Sequence, residues 1–93
     1  MLEPTNGGVA IELTKSPTRI GRRDTCDVVL DRPKISGHHA ELAFDQGTWR
    51  IRDLRSRNDV RVNGKRLSSG IPQELCNEDA IELADIEFRF TTR

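Results

Sequence analysis

Apolar residues in this chain fall in short runs between turn-forming residues, and no window sustains a helical period. Val9, Ile11 and Leu13 alternate with small or polar neighbours, which predicts a half-buried strand. Asn6-Gly7-Gly8 ahead of it reads as a turn, so residues 1–8 are expected to form a flexible lead-in. Ile20 and its flanks predict a second strand after Pro17, and Val28-Val29-Leu30 a third, closed by Asp31 and Pro33. Over 39–44, Ala40, Leu42 and Phe44 are expected to share one face. Asp45-Gln46-Gly47 then makes a tight connection, its glycine supplying a positive φ. The return strand, 48–54, places Trp49 and Ile51 on one face and Arg50 and Arg52 on the other, solvated one. Val60 and Val62 flank Arg61 in another strand, and Asn63-Gly64 is the strongest two-residue hairpin signal. Leu67 ends its partner strand, and Ser68-Ser69-Gly70 with Pro72 marks a longer loop. Ala80, Ile81 and Leu83 predict one further strand, and Ile86, Phe88 and Phe90 the last. Many short strands at regular spacing predict an all-β sandwich or barrel, as a single domain over residues 1–93.

Composition narrows the function classes. With 34% hydrophobic and 32% charged residues in 93, the chain can build one modest core under a well-solvated surface. Fifteen basic and fifteen acidic side chains cancel, so net charge gives no reason to expect nucleic acid or an anionic membrane as partner. The distribution is uneven: Arg50, Arg52, Arg55, Arg57, Arg61, Lys65 and Arg66 crowd one stretch, interrupted only by Asp53 and Asp59. If those side chains converge on one loop face, they form a local anion site on a neutral molecule. A single Trp and no Tyr argue against stacking platforms for bases. Cys26 and Cys76 lack the spacing of a metal knuckle or redox pair and read as small buried apolar residues of a reduced, cytoplasmic protein. The two histidines and two cysteines are dispersed, which predicts neither a metal site nor a cofactor. Ser36 and His39 have no evident orienting carboxylate, so an enzyme is not expected.

Four short pieces fall on expected loops: Gly21-Arg22, Ser36-Gly37-His38-His39, Ser56-Arg57-Asn58 and Val62-Asn63-Gly64. Cys26-Asp27-Val28, Trp49 and Asp53-Leu54 accompany them. Each dipeptide alone is weak, but their order and spacing over 18–90 resemble the forkhead-associated (FHA) domain family. The resemblance implies an FHA-type β-sandwich of about eleven short strands, packed face to face, with binding loops at one end. It also implies a phosphothreonine-dependent protein–protein interaction module in signalling, either a monomer or one domain of a larger protein. The partner implied is a phosphothreonine-containing protein or peptide.

Residue chemistry fits that ligand. A phosphate carries about −1.5 to −2 charges near neutral pH and offers three strong acceptor oxygens. Arg22 would present a forked donor to two of them, Ser36 its hydroxyl, and Gly37 its backbone N–H. In the resemblance, Arg57 reaches the phosphate from the opposite loop, and Asn58 pairs with the peptide backbone. Gly21, His39, Asn63 and Gly64 are support: His39 bridges loops through its ring nitrogens, and Asn63-Gly64 is turn chemistry first. His38 reads as exposed.

This chain departs from the family pattern at several positions. Gly37 stands where Arg or Asn is usual, keeping the N–H but losing a side-chain donor. Asp59 stands where Gly usually follows the asparagine, and its charge is expected near the phosphate. Asn77-Glu78-Asp79 replaces a Gly-Asp loop, and Ala84 a common Gly. Gly37 and Asp59 motivate an alternative, a degenerate FHA domain acting as a phospho-independent scaffold or self-association module.

Overall fold

The computed structural model describes residues 1–5, 8 and 10–92. Ten strands occur among them: β1 (Leu2–Pro4), β2 (Thr18–Gly21), β3 (Val28–Val29), β4 (Ala40–Asp45), β5 (Thr48–Asp53), β6 (Val60–Val62), β7 (Lys65–Arg66), β8 (Gln73–Glu74), β9 (Ala80–Leu83) and β10 (Ile86–Phe90). They form two five-stranded sheets, in the orders β1-β10-β9-β6-β7 and β3-β2-β4-β5-β8. Every pair is antiparallel except β2 with β3. The described residues hold ten strands where the family resemblance implied about eleven.

Period-2 alternation makes the sandwich. Val60, Val62, Ile81, Leu83, Phe88 and Phe90 turn inward from the first sheet, and Ile20, Ala40, Leu42 and Ile51 from the second. Exposed Arg61, Glu87 and Arg89 alternate with them on the outer face. Both two-residue hairpins follow their turn chemistry. Gln46 and Gly47 carry φ of 52° and 78°, and Asn63 and Gly64 carry 53° and 82°, as a type I′ turn requires.

Several expectations are corrected. Leu2–Pro4 is a strand on the edge of the first sheet, with Leu2 fully buried, rather than part of a lead-in. A single apolar side chain in three residues leaves no alternation to read. Ile11 forms only an isolated bridge to Leu2, while Val9 and the Asn6-Gly7 turn lie outside the described residues. Phe44 is 50% exposed, standing next to last in β4 beside the hairpin turn. It packs against Trp49 instead, with ring centroids 5.4 Å apart. Cys76 is exposed and only Cys26 is buried; both are free thiols.

The outer face of the second sheet carries an ion triad. Register puts Arg19 opposite Glu41 and Glu41 opposite Arg52. Arg19 Nε lies 2.9 Å from Glu41 Oε2, and Arg52 Nη2 lies 2.6 Å from Oε1. Burial of Glu41, the largest influence, would by itself raise its carboxyl; the hydrogen bonds from Arg19 and Arg52 outweigh it and hold the carboxyl below its ordinary value.

Candidate functional site

Three connections meet at one end of the sandwich: 22–27 between β2 and β3, 30–39 between β3 and β4, and 54–59 between β5 and β6. The last passes from one sheet to the other, so it faces the other two across an open groove. Gly21 sets how closely the first two loops approach. A Cβ there would collide with the Gly37 carbonyl oxygen and come within 2.9 Å of Cys26 Sγ. The loops are joined by backbone hydrogen bonds, Arg22 N–H to Ser36 O at 2.9 Å and Arg23 N–H to Gly37 O at 3.2 Å. Cys26 Sγ–H donates to the same Gly37 carbonyl at 3.2 Å. Burial pushes the Cys26 thiol above its ordinary value.

His39 ties the second loop to the third. It is fully buried, its Nδ1 accepts from Ser36 N–H at 3.0 Å, and its Nε2 lies 2.9 Å from Asp59 O. A carbonyl only accepts, so the ring proton sits on Nε2. Asp59 O also accepts from Ala84 N–H at 3.2 Å, which anchors the third loop to the turn after β9. Across the groove, Arg57 N–H donates to Ser36 Oγ at 3.0 Å, and Asn58 Nδ2 donates to Lys34 O at 2.8 Å. Ser36 Oγ accepts in that bond, so its own hydroxyl proton stays available to a ligand. Among the described residues Gly37 N–H donates to nothing.

The groove encloses about 470 Å³, and its lining includes Arg22, Ser36, Gly37, Arg57 and Asn58, all five binding candidates of the sequence. Gly21, His39, Asn63 and Gly64 stand outside it. Arg23, Lys34, Pro33 and Ile35 also line it, and among the described residues no carboxylate does. Sequence reasoning passed over Arg23 and Lys34, whose only signal is proximity to Arg22 and Ser36. Arg22 Nε lies 3.8 Å from Asp31 Oδ1, a loose contact because the Asp31 side chain is 90% exposed.

The basic stretch does not converge. Of its seven members only Arg57 lines the groove. Arg50 pairs with Asp45 and Glu74, Arg52 with Glu41, and Arg61 and Arg66 with Asp59. The expectation for Asp59 is corrected with it. Its carboxylate lies 3.2 Å from Arg66 Nε and 4.0 Å from Arg61 Nη2, on the side of the loop away from the groove. Asn63 has a larger structural part than its turn alone. Its Nδ2 donates to Asp79 Oδ1 at 3.0 Å and its Oδ1 accepts from Ala80 N–H at 2.9 Å.

A β-sandwich whose end loops hold a cationic, donor-rich groove defines a class of anion-recognising interaction module. The sequence pattern of the FHA domain matches residues 18–84, and the chain belongs to that family. The transcriptional regulatory protein EmbR of Mycobacterium tuberculosis is 42% identical over 83 residues, covering 89% of this chain and 21% of EmbR. The chain thus spans about a fifth of that relative's length. The structure of M. tuberculosis EmbR in complex with a low-affinity phosphopeptide superposes with a TM-score of 0.90 at 37% identity, over 97% of this chain and 23% of that one. The MEK1 FHA domain, crystallised with a phosphothreonine peptide of HOP1, gives 0.76 at 28% identity, over 97% of this chain and 92% of that one. Among the described residues no helix is long and apolar enough to cross a membrane, and no cluster of His, Cys, Asp or Glu is placed to hold a metal ion.

Proposed function

We propose that the loop groove binds a phosphothreonine side chain, making the 93-residue chain a single phosphothreonine-dependent protein-interaction unit in signalling that catalyses nothing. The observation that carries this reading is the convergence of Arg22, Ser36, Gly37, Arg57 and Asn58 from three loops on one groove without a carboxylate. Arg22 offers its guanidinium fork to two phosphate oxygens, and a dianion outcompetes the loose contact with Asp31. Ser36 adds its hydroxyl proton, Gly37 its free N–H, and Arg57 a second cation from the opposite wall. Asn58 is held by Lys34 O through one amide proton, which leaves its Oδ1 and second proton for the backbone of an extended peptide. Charge-assisted hydrogen bonds are worth about 1.5–3 kcal/mol each, so two or three support micromolar affinity after the cost of association.

The phosphopeptides bound by the superposed EmbR and MEK1 domains support the same ligand class here. The phospho-independent alternative rested partly on Asp59, whose carboxylate is occupied elsewhere. Free thiols at Cys26 and Cys76 fit a reducing compartment, the cytoplasm.

Calorimetric titration with phosphothreonine peptides of randomised flanks, beside unphosphorylated and phosphoserine sets, tests the reading. Binding is expected only with phosphothreonine, weakened about tenfold or more by Arg22→Ala. Equal heats with and without phosphate would sink it.

A further inference from the structure

Gly37 gives the groove a backbone N–H and no side chain. The space that a side chain would enter is occupied. A Cβ at Gly37 would lie 2.8 Å from Arg23 Nε, 3.1 Å from its Cγ and 3.3 Å from its Cδ, so the Arg23 stem crosses directly over the glycine. The backbone holds it there, since Arg23 N–H donates to Gly37 O and Arg23 O accepts from Cys26 N–H. Arg23 lines the same groove as Arg22 and Ser36. Among the described residues its guanidinium forms no ion pair, whereas Arg22 is near Asp31, and Arg50, Arg52, Arg61 and Arg66 all have carboxylate partners. An exposed guanidinium, unneutralised and steered over the Ser36–Gly37 backbone, is placed to meet an anion that this backbone also binds.

We propose that Arg23 is a further phosphate-binding residue of this domain, and that Gly37 and Arg23 act as one unit in which the missing Cβ makes room for the guanidinium. The proposal rests on the groove being a phosphothreonine site. It accounts for Gly37 without loss of a donor: the side chain that residue 37 lacks is supplied from the neighbouring loop. Because Arg23 Nε meets the Cβ position with the far end of a flexible side chain, a larger residue at 37 displaces Arg23 without breaking the fold.

The test is a cycle of Arg23→Ala, Gly37→Asn and the double variant, titrated with a phosphothreonine peptide library of randomised flanks. Arg22→Ala and an unphosphorylated library serve as controls, and a thermal melt verifies folding. Arg23→Ala is expected to weaken binding by about tenfold. In the Gly37→Asn background the same change should cost much less, because the guanidinium is already displaced and the new amide donates in its place. The Nε–Hε resonance of Arg23 should shift on adding phosphopeptide, a response that a merely structural arginine would not give. If Arg23→Ala binds as wild type while Arg22→Ala does not, the proposal fails and the phosphothreonine reading stands. If the wild-type domain ignores phosphorylation, both fall together.

Discussion

His39 and Gly21 show how single residues near this groove act without lining it. His39 spends both ring nitrogens on backbone groups of two loops, so its removal would leave the part-buried Ser36 N–H unpaired and Asp59 O with Ala84 N–H as its one remaining donor. Gly21 works by absence, since any Cβ would push the Gly37 carbonyl away from the Arg23 and Cys26 donors it serves. Asp59 is the instructive case. Its φ of 68° is one that glycine adopts freely, yet its carboxylate is held by Arg61 and Arg66. Asp59→Gly should therefore change phosphopeptide affinity by less than about threefold, because no repulsion at the groove is relieved and screening weakens what remains. A gain of an order of magnitude in calorimetric affinity would show that the carboxylate does face the ligand.

At the scale of elements, the two type I′ hairpins set strand register and so decide which side chains face the core. Gly47 and Gly64 have φ of 78° and 82°. A Cβ at either would meet nothing within 4 Å. Alanine at each position thus isolates the backbone penalty from any clash. Gly47→Ala and Gly64→Ala are each expected to destabilise the domain by about 1–2 kcal/mol, read as a lower midpoint of urea unfolding with an unchanged slope. An unaltered midpoint would mean that the turns relax to another type. Glu78 and Ala84 also lie at positive φ, 76° and 57°, where the family pattern favours glycine. The geometry is retained there without it. Two elements escaped the pattern altogether. Leu2–Pro4 has one apolar residue, and Gln73–Glu74 has none, being recruited to the edge of β5 by backbone pairing alone.

For the whole molecule, balanced charge conceals an ordered arrangement. Outside the groove, Arg19, Arg50, Arg52, Arg61 and Arg66 are matched by carboxylates, whereas the groove lining gathers Arg22, Arg23, Lys34 and Arg57, which makes the loop end cationic. The same pairing predicts acid sensitivity. Glu41 is held below its ordinary value of 4.5 as the hydrogen bonds from Arg19 and Arg52 outweigh its burial, and Asp27 below 3.8 chiefly by Lys15 and by Arg19 N–H. A carboxyl depressed in the folded state stabilises fully above its unfolded value, and that contribution is lost as pH falls through the folded one. Stability should therefore hold from pH 7 down to about 5 and decline below about 4.5. In Glu41→Gln the decline should be shallower, with a lower starting stability at neutral pH. Identical acid limbs in urea titrations of the two proteins would contradict the triad's part.

Most strands of the core and both tight hairpins were legible because each rests on local information, and the five groove candidates because the order of the loop motifs over 18–90 resembles the FHA family. Alternation needs four or five residues, a turn needs two, and the loop motifs are contiguous. What the tertiary structure decided is pairing between distant segments. Strand order placed Glu41 between Arg19 and Arg52 and turned Asp59 toward Arg61 and Arg66, so most of the arginine-rich stretch never reaches the groove. Close approach of two loops at Gly21 laid Arg23 over Gly37; sixteen positions or fewer separate these three residues in sequence, yet nothing in that spacing shows the contact. A charged side chain chooses its partner by distance and desolvation, and neither quantity exists until the sheets have formed.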